Sequence, residues 1–290
     1  MKERSTVSPP VFRFAPSPNG YLHFGHAYSA LLNAQMAAQT GGRFLLRIED
    51  VDLTRARPEF ERAIYEDLEW LGLEWETPVR RQSEHFEDYA HALGALIKAR
   101  LVYPSFLTRT QAASMADGSA KDPLGMPLHP HVERDVFWDN IESPVSATGH
   151  FAWRLNMEKA IETLSGSLGW QELSSGNLVT VKAEPAQWGD VIIARKDTPT
   201  SYHLSVVVDD ALQGVTHVVR GMDLFLQTAI HRLLQVLIGL PEPAYHHHRL
   251  ILDGTGEKLS KSAASTPLRE MRRNGAKPEQ IRADLGFGAR

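Results

Sequence analysis

Two histidines lie three residues apart in the segment FAPSPNGYLHFGHA at 14–27. Histidines at i and i+3 share one face of a helix, so His23 and His26 can both reach one polyphosphate. A helix that begins near Gly25 would turn its N–H groups and positive dipole end toward an anion, and the glycine would let a phosphate approach the backbone. The pattern predicts an ATP site that stabilises charge on a phosphorus under attack. A proline-rich turn with two surface histidines is the alternative.

A second candidate motif, GEKLSKS, lies at 256–262. Glycines precede it and Pro267 follows, which is typical of a loop. Lys258 and Lys261 flank the hydroxyl of Ser260, and a lysine ammonium is a compact point charge that suits phosphate. The motif therefore predicts a transient clamp on pyrophosphate. An ordinary solvated surface loop is the alternative.

Apolar periodicity and turn residues predict alternating elements in the first hundred residues. The predicted elements are strands at 11–15 and 43–50 and helices at 25–39, 58–71 and 84–100. This alternation indicates an α/β fold with a parallel sheet covered by helices. Ligands on such sheets bind at the carboxyl ends of the strands, which is where the first histidine motif falls.

The composition of the sequence changes near residue 101. Small residues, prolines and turn formers become frequent there, and the clear apolar periodicity ends. Strong strand and helix signals return after about residue 185; VVVDD at 206–210 and THVVRG at 216–221 are each compatible with a buried helix or strand. The predicted organisation has four segments. They are the first half of a nucleotide-binding fold (1–100), an insertion (101–185), the second half with the lysine loop (186–262) and a short C-terminal tail (263–290).

Composition limits the classes of protein that the chain can belong to. It has 290 residues, 42% hydrophobic and 23% charged, as in globular domains, and it has no cysteine. Disulfides are thereby excluded, and a metal site would need His and carboxylate ligands. No apolar run has the length of a membrane span and the N-terminus lacks the apolar core of a signal peptide, so we expect a cytoplasmic protein.

The net charge restricts the class of protein less than the composition does. The formal net charge of −4 argues weakly against a dedicated nucleic-acid binder, although net charge does not describe its distribution. The tail at 268–290 has six basic and three acidic residues, a local excess of three. A solvated helix face is the simplest interpretation, and a phosphate contact is the alternative.

The two motifs in this order resemble the double signature of class I aminoacyl-tRNA synthetases, H-x-G-H after the first strand and K-L-S-K-S after the last. Four longer segments resemble the glutamyl-tRNA synthetase catalytic domain: FRFAPSPNGYLHFGHA, LLRIEDVDLTR, SYHLSVVVDDALQGVTHVVRG and HHHRLILDGTGEKLSKS. The resemblance covers nearly the whole chain and is weakest across 101–185. It implies a Rossmann-type parallel sheet with helices on both faces, an inserted α+β subdomain, and ATP as a substrate with Mg²⁺.

The resemblance also implies roles for individual residues. The catalytic and ATP-binding residues would be His23, Gly25, His26, Lys258, Ser260 and Lys261. The glutamate-binding residues would be Arg13, Ala15, Ser17, Glu49, Tyr202 and Arg220. Glu49 would hold the α-amino group and Arg220 the side-chain carboxylate, which a guanidinium fork fits. The alternatives are that Arg13 and Glu49 pair with each other and that Tyr202 belongs to the core.

Only 28 residues follow Ser262, so we expect no anticodon-binding domain. The short segment after the lysine loop and the valine at position 206 both resemble the truncated glutamyl-Q tRNA(Asp) synthetase family. That resemblance implies activation of L-glutamate by ATP and its transfer to the queuosine base at the wobble position of tRNA(Asp), by a monomer that needs no membrane. Acylation of a tRNA 3′ end and a non-catalytic tRNA-binding paralogue are the alternatives.

Many members of the truncated family carry a zinc-binding cysteine pair in the insertion, and here Ser105 and Leu107 occupy the aligned positions. His129 and His131 form an H-x-H pair without nearby thiolates, which is a weak metal site. The run of three histidines at 246–248 is more typical of a strand that leads to the lysine loop. We therefore expect no structural zinc and no metal ligand in the chain.

Overall fold

The computed structural model describes residues 8–115, 120–134, 151–195, 198, 200–251 and 266–288 of the chain. The strands are, in chain order, β1 (Val11–Phe14), β2 (Arg43–Ile48), β3 (Glu76–Arg81), β4 (Val102–Ser105), β5 (Ala152–Leu155), β6 (Gly169–Ser174), β7 (Asn177–Lys182), β8 (Ile192–Arg195), β9 (His217–Gly221) and β10 (Ala244–His248). The helices are α1 (Phe24–Thr40), α2 (Pro58–Trp70), α3 (Phe86–Lys98), α4 (Arg109–Met115), α5 (Met157–Glu162), α6 (Tyr202–Leu212), α7 (Thr228–Leu237), α8 (Leu268–Arg273) and α9 (Pro278–Asp284).

Seven strands form the main sheet in the order β3-β2-β1-β9-β10-β6-β7. Neighbouring strands run parallel from β3 to β6, and only the edge strand β7 is antiparallel. The strand order reverses beside β1, which pairs with β2 on one side and with β9 on the other. Open α/β sheets bind ligands at the carboxyl ends of the strands beside such a reversal. The predicted parallel sheet is therefore confirmed, and its expected ligand-binding edge lies where β1 ends.

Alternate residues of the central strands pack against different helices, because successive side chains of a strand point to opposite faces. Phe12 and Leu46 belong to the core that includes residues of α1 and α2. Their neighbours Val11 and Leu45 pack instead with Ala229 of α7 and with side chains of β6 and β10. Helices thus cover both faces of the sheet, as the sequence resemblance implied.

A second sheet of three antiparallel strands, in the order β4-β5-β8, is formed by strands that lie between residues 102 and 195. Its third strand, β8, comes after the predicted insertion at 101–185, whereas the β6–β7 hairpin inside that range pairs with β10 of the main sheet. The strand pairing does not follow the predicted boundary near 185, because the hairpin finds its parallel partner in the nucleotide-binding half. The division into four segments stays a prediction.

Most predicted elements agree with the structure to within one or two residues. Helix α1 ends at Gly41, whose φ of 62° is the left-handed conformation that glycine adopts without strain. The ambiguous segment at 206–210 lies in a helix, α6, and the segment at 216–221 contains strand β9. The three histidines at 246–248 lie in β10, as predicted. None of the helices in the described ranges is long and apolar enough to cross a membrane.

Candidate active site

A cleft of about 640 Å³ opens at the carboxyl ends of β1, β2, β9 and β10. Every predicted site residue that the structure describes lines this one cleft: Arg13, Ala15, Ser17, His23, Gly25, His26, Glu49, Tyr202 and Arg220. Lys258, Ser260 and Lys261 lie outside the described residues. Residues distant in sequence therefore meet in one place, with the histidine motif and the candidate glutamate-binding residues on a common cavity.

The two motif histidines form a reciprocal cap at the start of α1. His23 is the residue before the helix, and its Nδ1 accepts the backbone N–H of Gly25 at 3.1 Å. The Nδ1 of His26 accepts the backbone N–H of His23 at 3.2 Å, and the ring centroids are 3.9 Å apart. Because each Nδ1 is an acceptor, the proton of each neutral ring lies on Nε2. Both rings can donate from Nε2 beside the positive end of a 17-residue helix, an arrangement that suits phosphate.

A buried ion-pair cluster supports one wall of the cleft. Asp210 of α6 accepts from Arg13 Nε at 3.0 Å and from Arg47 Nη1 at 2.7 Å. Arg47 has no exposed surface, and its Nη2 also donates to Glu49 Oε1 at 3.0 Å. Arg13 and Glu49 therefore use different partners and do not form the direct pair that was the alternative for them. Asp210 of helix α6 thus fixes the positions of the arginines that β1 and β2 contribute to this wall of the cleft.

The pKa values of this cluster follow its burial and its pairing. Burial alone would raise the pKa of Asp210, but the two guanidinium groups of Arg13 and Arg47 hold that pKa below its ordinary value. Burial dominates at Glu49 and raises its pKa despite the neighbouring Arg47. An ammonium group placed beside Glu49 would favour its charged form, because an opposite charge lowers the pKa of a carboxyl.

Arg220 at the end of β9 is 5% exposed and is held by four acceptors. Its Nε donates to His247 Nε2 at 3.1 Å and its Nη1 to His231 Nδ1 at 3.0 Å. Its Nη2 donates to Thr228 Oγ1 at 2.8 Å and to the carbonyl oxygen of Leu224 at 3.3 Å. All four acceptors are neutral. Among the described residues, no carboxylate lies within 4 Å of this buried cation, so the site has an unmatched positive charge.

The tautomers of the neighbouring histidines follow from Arg220, because a guanidinium only donates. His231 Nδ1 must accept, so its Nε2 carries the proton and donates to His203 Nδ1 at 3.1 Å. His247 Nε2 also accepts from Arg220, so its Nδ1 donates to Glu172 Oε2 at 2.8 Å. Burial first, and then the charge of Arg220, lowers the pKa of His203 to about 4 and that of His231 well below its ordinary value. The rings next to the cation are thus kept uncharged.

A family profile described as "tRNA synthetases class I (E and Q), catalytic domain" matches residues 11–286. The chain belongs to this class I tRNA synthetase family. A "Glutamyl-Q tRNA(Asp) synthetase" of Rhodobacter capsulatus is 44% identical over 96% of this chain and 100% of that protein. A protein of the same name in Nitratidesulfovibrio vulgaris is 35% identical, over 95% of this chain and 85% of that one.

The class I synthetase family also includes longer relatives. "Glutamate–tRNA ligase 2" of a Ruegeria species is 36% identical over 92% of this chain, which spans 58% of the length of that ligase. A crystal structure of a glutamate tRNA ligase from Elizabethkingia meningosepticum, in complex with its amino acid, has a TM-score of 0.71 and 24% identity. The match covers 96% of this chain and 60% of that one, and it shows that the two share a fold.

The sequence does not predict five residues that support the cleft from behind its lining: Asp210, Arg47, His203, His231 and His247. One signal was present for Asp210, since VVVDD places two acids in an apolar run where a buried acid needs a cation. His203 and His231 carry no such signal, and the run at 246–248 predicts only a strand, because the three histidines come from two helices and a strand that meet only in the fold. Tyr202, for which a core position was the alternative, lines the cleft and also packs against a buried cluster.

The segment around Ser105, where the sequence resemblance implied a cysteine pair, is held by hydrogen bonds. The hydroxyl of Ser105 donates to Glu133 and lies 3.2 Å from His129 Nε2. His131 turns instead to Asp190, 3.4 Å from its Nδ1. Across the described ranges, no group of three or more His, Asp or Glu side chains could hold a metal ion. The absence of zinc stays a prediction.

Proposed function

We propose that the chain activates L-glutamate with ATP to form glutamyl-adenylate and then transfers the glutamyl group to queuosine at the wobble position of tRNA(Asp). One observation carries the first half of this proposal. A single cleft holds both the histidine-capped start of α1 and a buried arginine that has no carboxylate partner among the described residues. Phosphate chemistry and recognition of an anionic amino acid therefore meet in one cavity.

Glutamate would occupy the half of the cleft between Glu49 and Arg220. Its side-chain carboxylate would supply the negative charge that Arg220 lacks, and a charge-assisted hydrogen bond to a guanidinium is among the strongest that proteins form. Its ammonium group would approach Glu49, whose second carboxylate oxygen has no hydrogen bond among the described residues. Tyr202, Arg13, Ala15 and Ser17 would complete the walls. Glutamine carries no charge at its side-chain amide, so it would leave the cation unpaired.

ATP would bind across the start of α1, where His23, Gly25 and His26 line the cleft. Class I synthetases use ATP, and Mg²⁺ would arrive on the phosphates, since magnesium is commonly held by a nucleotide and few protein groups. Hydrogen bonds from the two Nε2–H groups would stabilise charge that develops on the attacked phosphorus. We propose from the sequence motif that Lys258, Ser260 and Lys261 contact the departing pyrophosphate.

The acceptor is inferred from the relatives. The Rhodobacter protein named for the glutamyl-Q reaction matches along its full length, which supports queuosine in tRNA(Asp) as the acceptor. The longer glutamate–tRNA ligases, at 36% identity, support a second candidate function, acylation of a tRNA 3′ end. A wobble base must leave its stack to enter a cleft, as bases do in other base-modifying enzymes. The expected partners are therefore ATP, L-glutamate and tRNA(Asp) carrying queuosine.

Two measurements test this proposal. We expect glutamate-dependent exchange of pyrophosphate into ATP without any tRNA, and labelled glutamate should then transfer to tRNA(Asp) that carries queuosine. The same tRNA with guanosine at the wobble position is the matched control and should stay unlabelled. Nuclease mapping should place the label in the anticodon loop. Label at the 3′ terminal adenosine would favour the second candidate, and lack of exchange without tRNA would contradict the tRNA-independent activation.

A further inference from the structure

The C-terminal tail, described from residue 266 to residue 288, packs against the start of helix α1. Leu268 of α8 has no exposed surface, and its backbone N–H donates to the carbonyl oxygen of Leu22 at 2.8 Å. Leu22 is also buried, belongs to the same core as Leu268 and directly precedes His23, the residue that caps α1. The tail is therefore joined to the segment that carries the histidine motif.

A second contact joins the adjacent residues of the same two segments. The guanidinium of Arg269 lies over the ring of Tyr21, 4.7 Å from the ring centroid, and its Nη1 donates to the Tyr21 hydroxyl. The ring of Tyr21 also packs edge-on against Phe60 of α2, with the centroids 4.9 Å apart. A cation over an aromatic face and a charged hydrogen-bond donor both restrain the tyrosine. Tyr21, two residues before His23, is thus held between α2 and α8.

The far end of the tail contacts α1 on the other side of the histidine motif. Phe287 is buried and packs against Tyr28 of α1, with ring centroids 5.5 Å apart. Tyr28 in turn contacts His248, a residue of the main cleft, at 5.1 Å between ring centroids. The tail therefore supports α1 before the motif, at Tyr21 and Leu22, and after it, at Tyr28.

Three of the six basic residues of the tail are used within the fold. Besides Arg269, Arg272 donates from Nη2 to Glu66 of α2 at 2.8 Å, and Arg282 donates from Nη1 to the carbonyl oxygen of Leu71 at 3.2 Å. These two contacts fix the tail on α2, the helix against which the tyrosine ring packs. A solvated helix face, the simplest interpretation of the charges, therefore does not describe these three side chains.

We propose that Arg269 is a positioning residue for ATP, which acts through Tyr21 on the His23 cap, an inference that rests on the proposed ATP site. Hydrogen-bond donors stabilise developing charge when they are in place before the reaction, so a displaced cap would weaken the use of ATP. The described partners of Glu49 and Arg220 come from elements other than the tail. Loss of the Arg269 contact should therefore affect ATP and leave glutamate binding unchanged.

The experiment compares three variants. Arg269→Met removes the charge and the donor but keeps an unbranched side chain, and Tyr21→Phe removes only the hydroxyl. Arg273→Met changes an exposed residue of the same helix and is the matched control. Pyrophosphate exchange without tRNA gives kcat/KM for ATP, and the KM for glutamate is measured at saturating ATP. We expect Arg269→Met to lower kcat/KM for ATP roughly three- to ten-fold, since a positioning contact contributes no more than its own net strength. The KM for glutamate should not change.

A double variant and an activity-independent measurement test the path of this effect. If Arg269 acts through the hydroxyl, Tyr21→Phe should add little to the loss already caused by Arg269→Met. The backbone N–H groups of Gly25, His26 and Ala27 all donate to His23, so their hydrogen exchange reports on the cap. These amides should exchange faster in Arg269→Met and at the wild-type rate in Arg273→Met.

The outcomes separate this inference from the proposed function. Wild-type kcat/KM for ATP and wild-type amide exchange in Arg269→Met would overturn the positioning role and leave the proposed function standing. Equal losses for ATP and for glutamate would also overturn it, because they would indicate general destabilisation. If the wild type showed no pyrophosphate exchange, the proposed function would fail, and amide exchange alone would decide whether Arg269 orders the cap.

Discussion

Arg220 is a buried cation whose described partners are all neutral acceptors. A guanidinium held only by neutral acceptors can still pair with an anion, whereas one paired with a carboxylate would already be satisfied. Asp210 shows the opposite case, since two guanidinium groups saturate it. In the proposed site, selection of glutamate would thus depend on which of the buried charges the fold leaves without an oppositely charged partner.

The first prediction concerns Arg220 itself. Arg220→Ala should weaken glutamate binding by about 2–5 kcal/mol, because the side-chain carboxylate loses a buried charged partner. The loss should appear in the KM for glutamate during pyrophosphate exchange, with a smaller change in the KM for ATP. Wild-type enzyme should use glutamine poorly. Equal use of glutamine and glutamate by the wild type would contradict the assignment.

His231 gives a second prediction, because it positions Arg220 and does not contact substrate in the proposed site. His231→Ala should raise the KM for glutamate, since one guanidinium N–H loses its buried acceptor at a cost of about 1–3 kcal/mol. His231→Gln can present an amide oxygen to the same N–H and should restore most of the binding. If both variants raise the KM equally while their thermal stability matches the wild type, the acceptor role is wrong.

At the scale of elements, the start of α1 depends on a glycine. A Cβ at Gly25 would lie 3.0 Å from His23 Cε1 and 3.2 Å from its Nδ1, so the capping ring would have to move. Gly25→Ala should therefore lower the exchange rate and raise the KM for ATP. Gly94→Ala in α3 is the matched control, because a Cβ there meets nothing within 4 Å.

The control itself should stabilise the protein by roughly 0.5–1 kcal/mol, since alanine replaces glycine at an exposed position inside a helix. Urea unfolding separates this effect from activity. An exchange rate in Gly25→Ala equal to that of Gly94→Ala would show that the His23 cap has no part in ATP binding.

Elements that carry local signals can be predicted from the sequence, whereas pairings without such signals cannot. Gly41 and Pro58 mark a helix end and a helix start in the sequence alone, and both were predicted. The run VVVDD remained ambiguous because β-branched residues favour strands, whereas here burial on all sides places them in helix α6. The pairing of the β6–β7 hairpin with β10 cannot be predicted in this way, because it is a long-range contact without a local pattern.

The residues of the candidate site also divide into those with a local sequence signal and those without one. Motif residues such as His23 and Arg13 were named from the sequence because they lie in contiguous strings. The groups that hold them in place, Asp210 for Arg13 and His231 for Arg220, come from other elements. Charge compensation and tautomer choice depend on distances that only the folded chain defines, so those partners could not be predicted.

For the whole molecule, buried histidines make stability dependent on pH. Burial lowers the pKa of six described histidines: His129, His203, His217, His231, His247 and His248. For His129 and His203 the folded pKa is about 4, against 6.5 for an unperturbed side chain. Between these values the unfolded chain binds protons that the folded protein does not, so stability falls as the pH falls.

Two carboxyl groups oppose this trend. Burial raises the pKa of Asp67 to about 6 and also raises the pKa of Glu49, so protonation of these two carboxyl groups adds stability as the pH falls. Six histidines outweigh two carboxyls, and urea unfolding should show a free energy that decreases from about pH 7 to about pH 4 with net proton uptake. A free energy of unfolding that stays level or rises over this range would contradict the neutral assignment of the histidines.

A further whole-molecule prediction concerns metal. Ser105, Glu133 and His129 are joined by hydrogen bonds near the segment where a zinc site would lie by resemblance. A chelator should leave the thermal unfolding temperature unchanged, because a structural zinc would make folding depend on the metal. Elemental analysis of protein purified without an affinity tag checks this directly. A stoichiometric metal whose removal unfolds the chain would refute it.

Arg47 joins three carboxylates around one buried cation. Its guanidinium, without exposed surface, reaches Asp210 at 2.7 Å, Glu49 at 3.0 Å and Asp209 at 3.7 Å. Replacing one residue of this cluster alone leaves a buried charge without its partner. The free energy of unfolding then falls by about 3–5 kcal/mol, which is a large share of the stability of most domains. A line of descent can therefore alter this set only by coupled substitutions. We expect the four positions to be inherited as a block while the apolar residues around them drift singly.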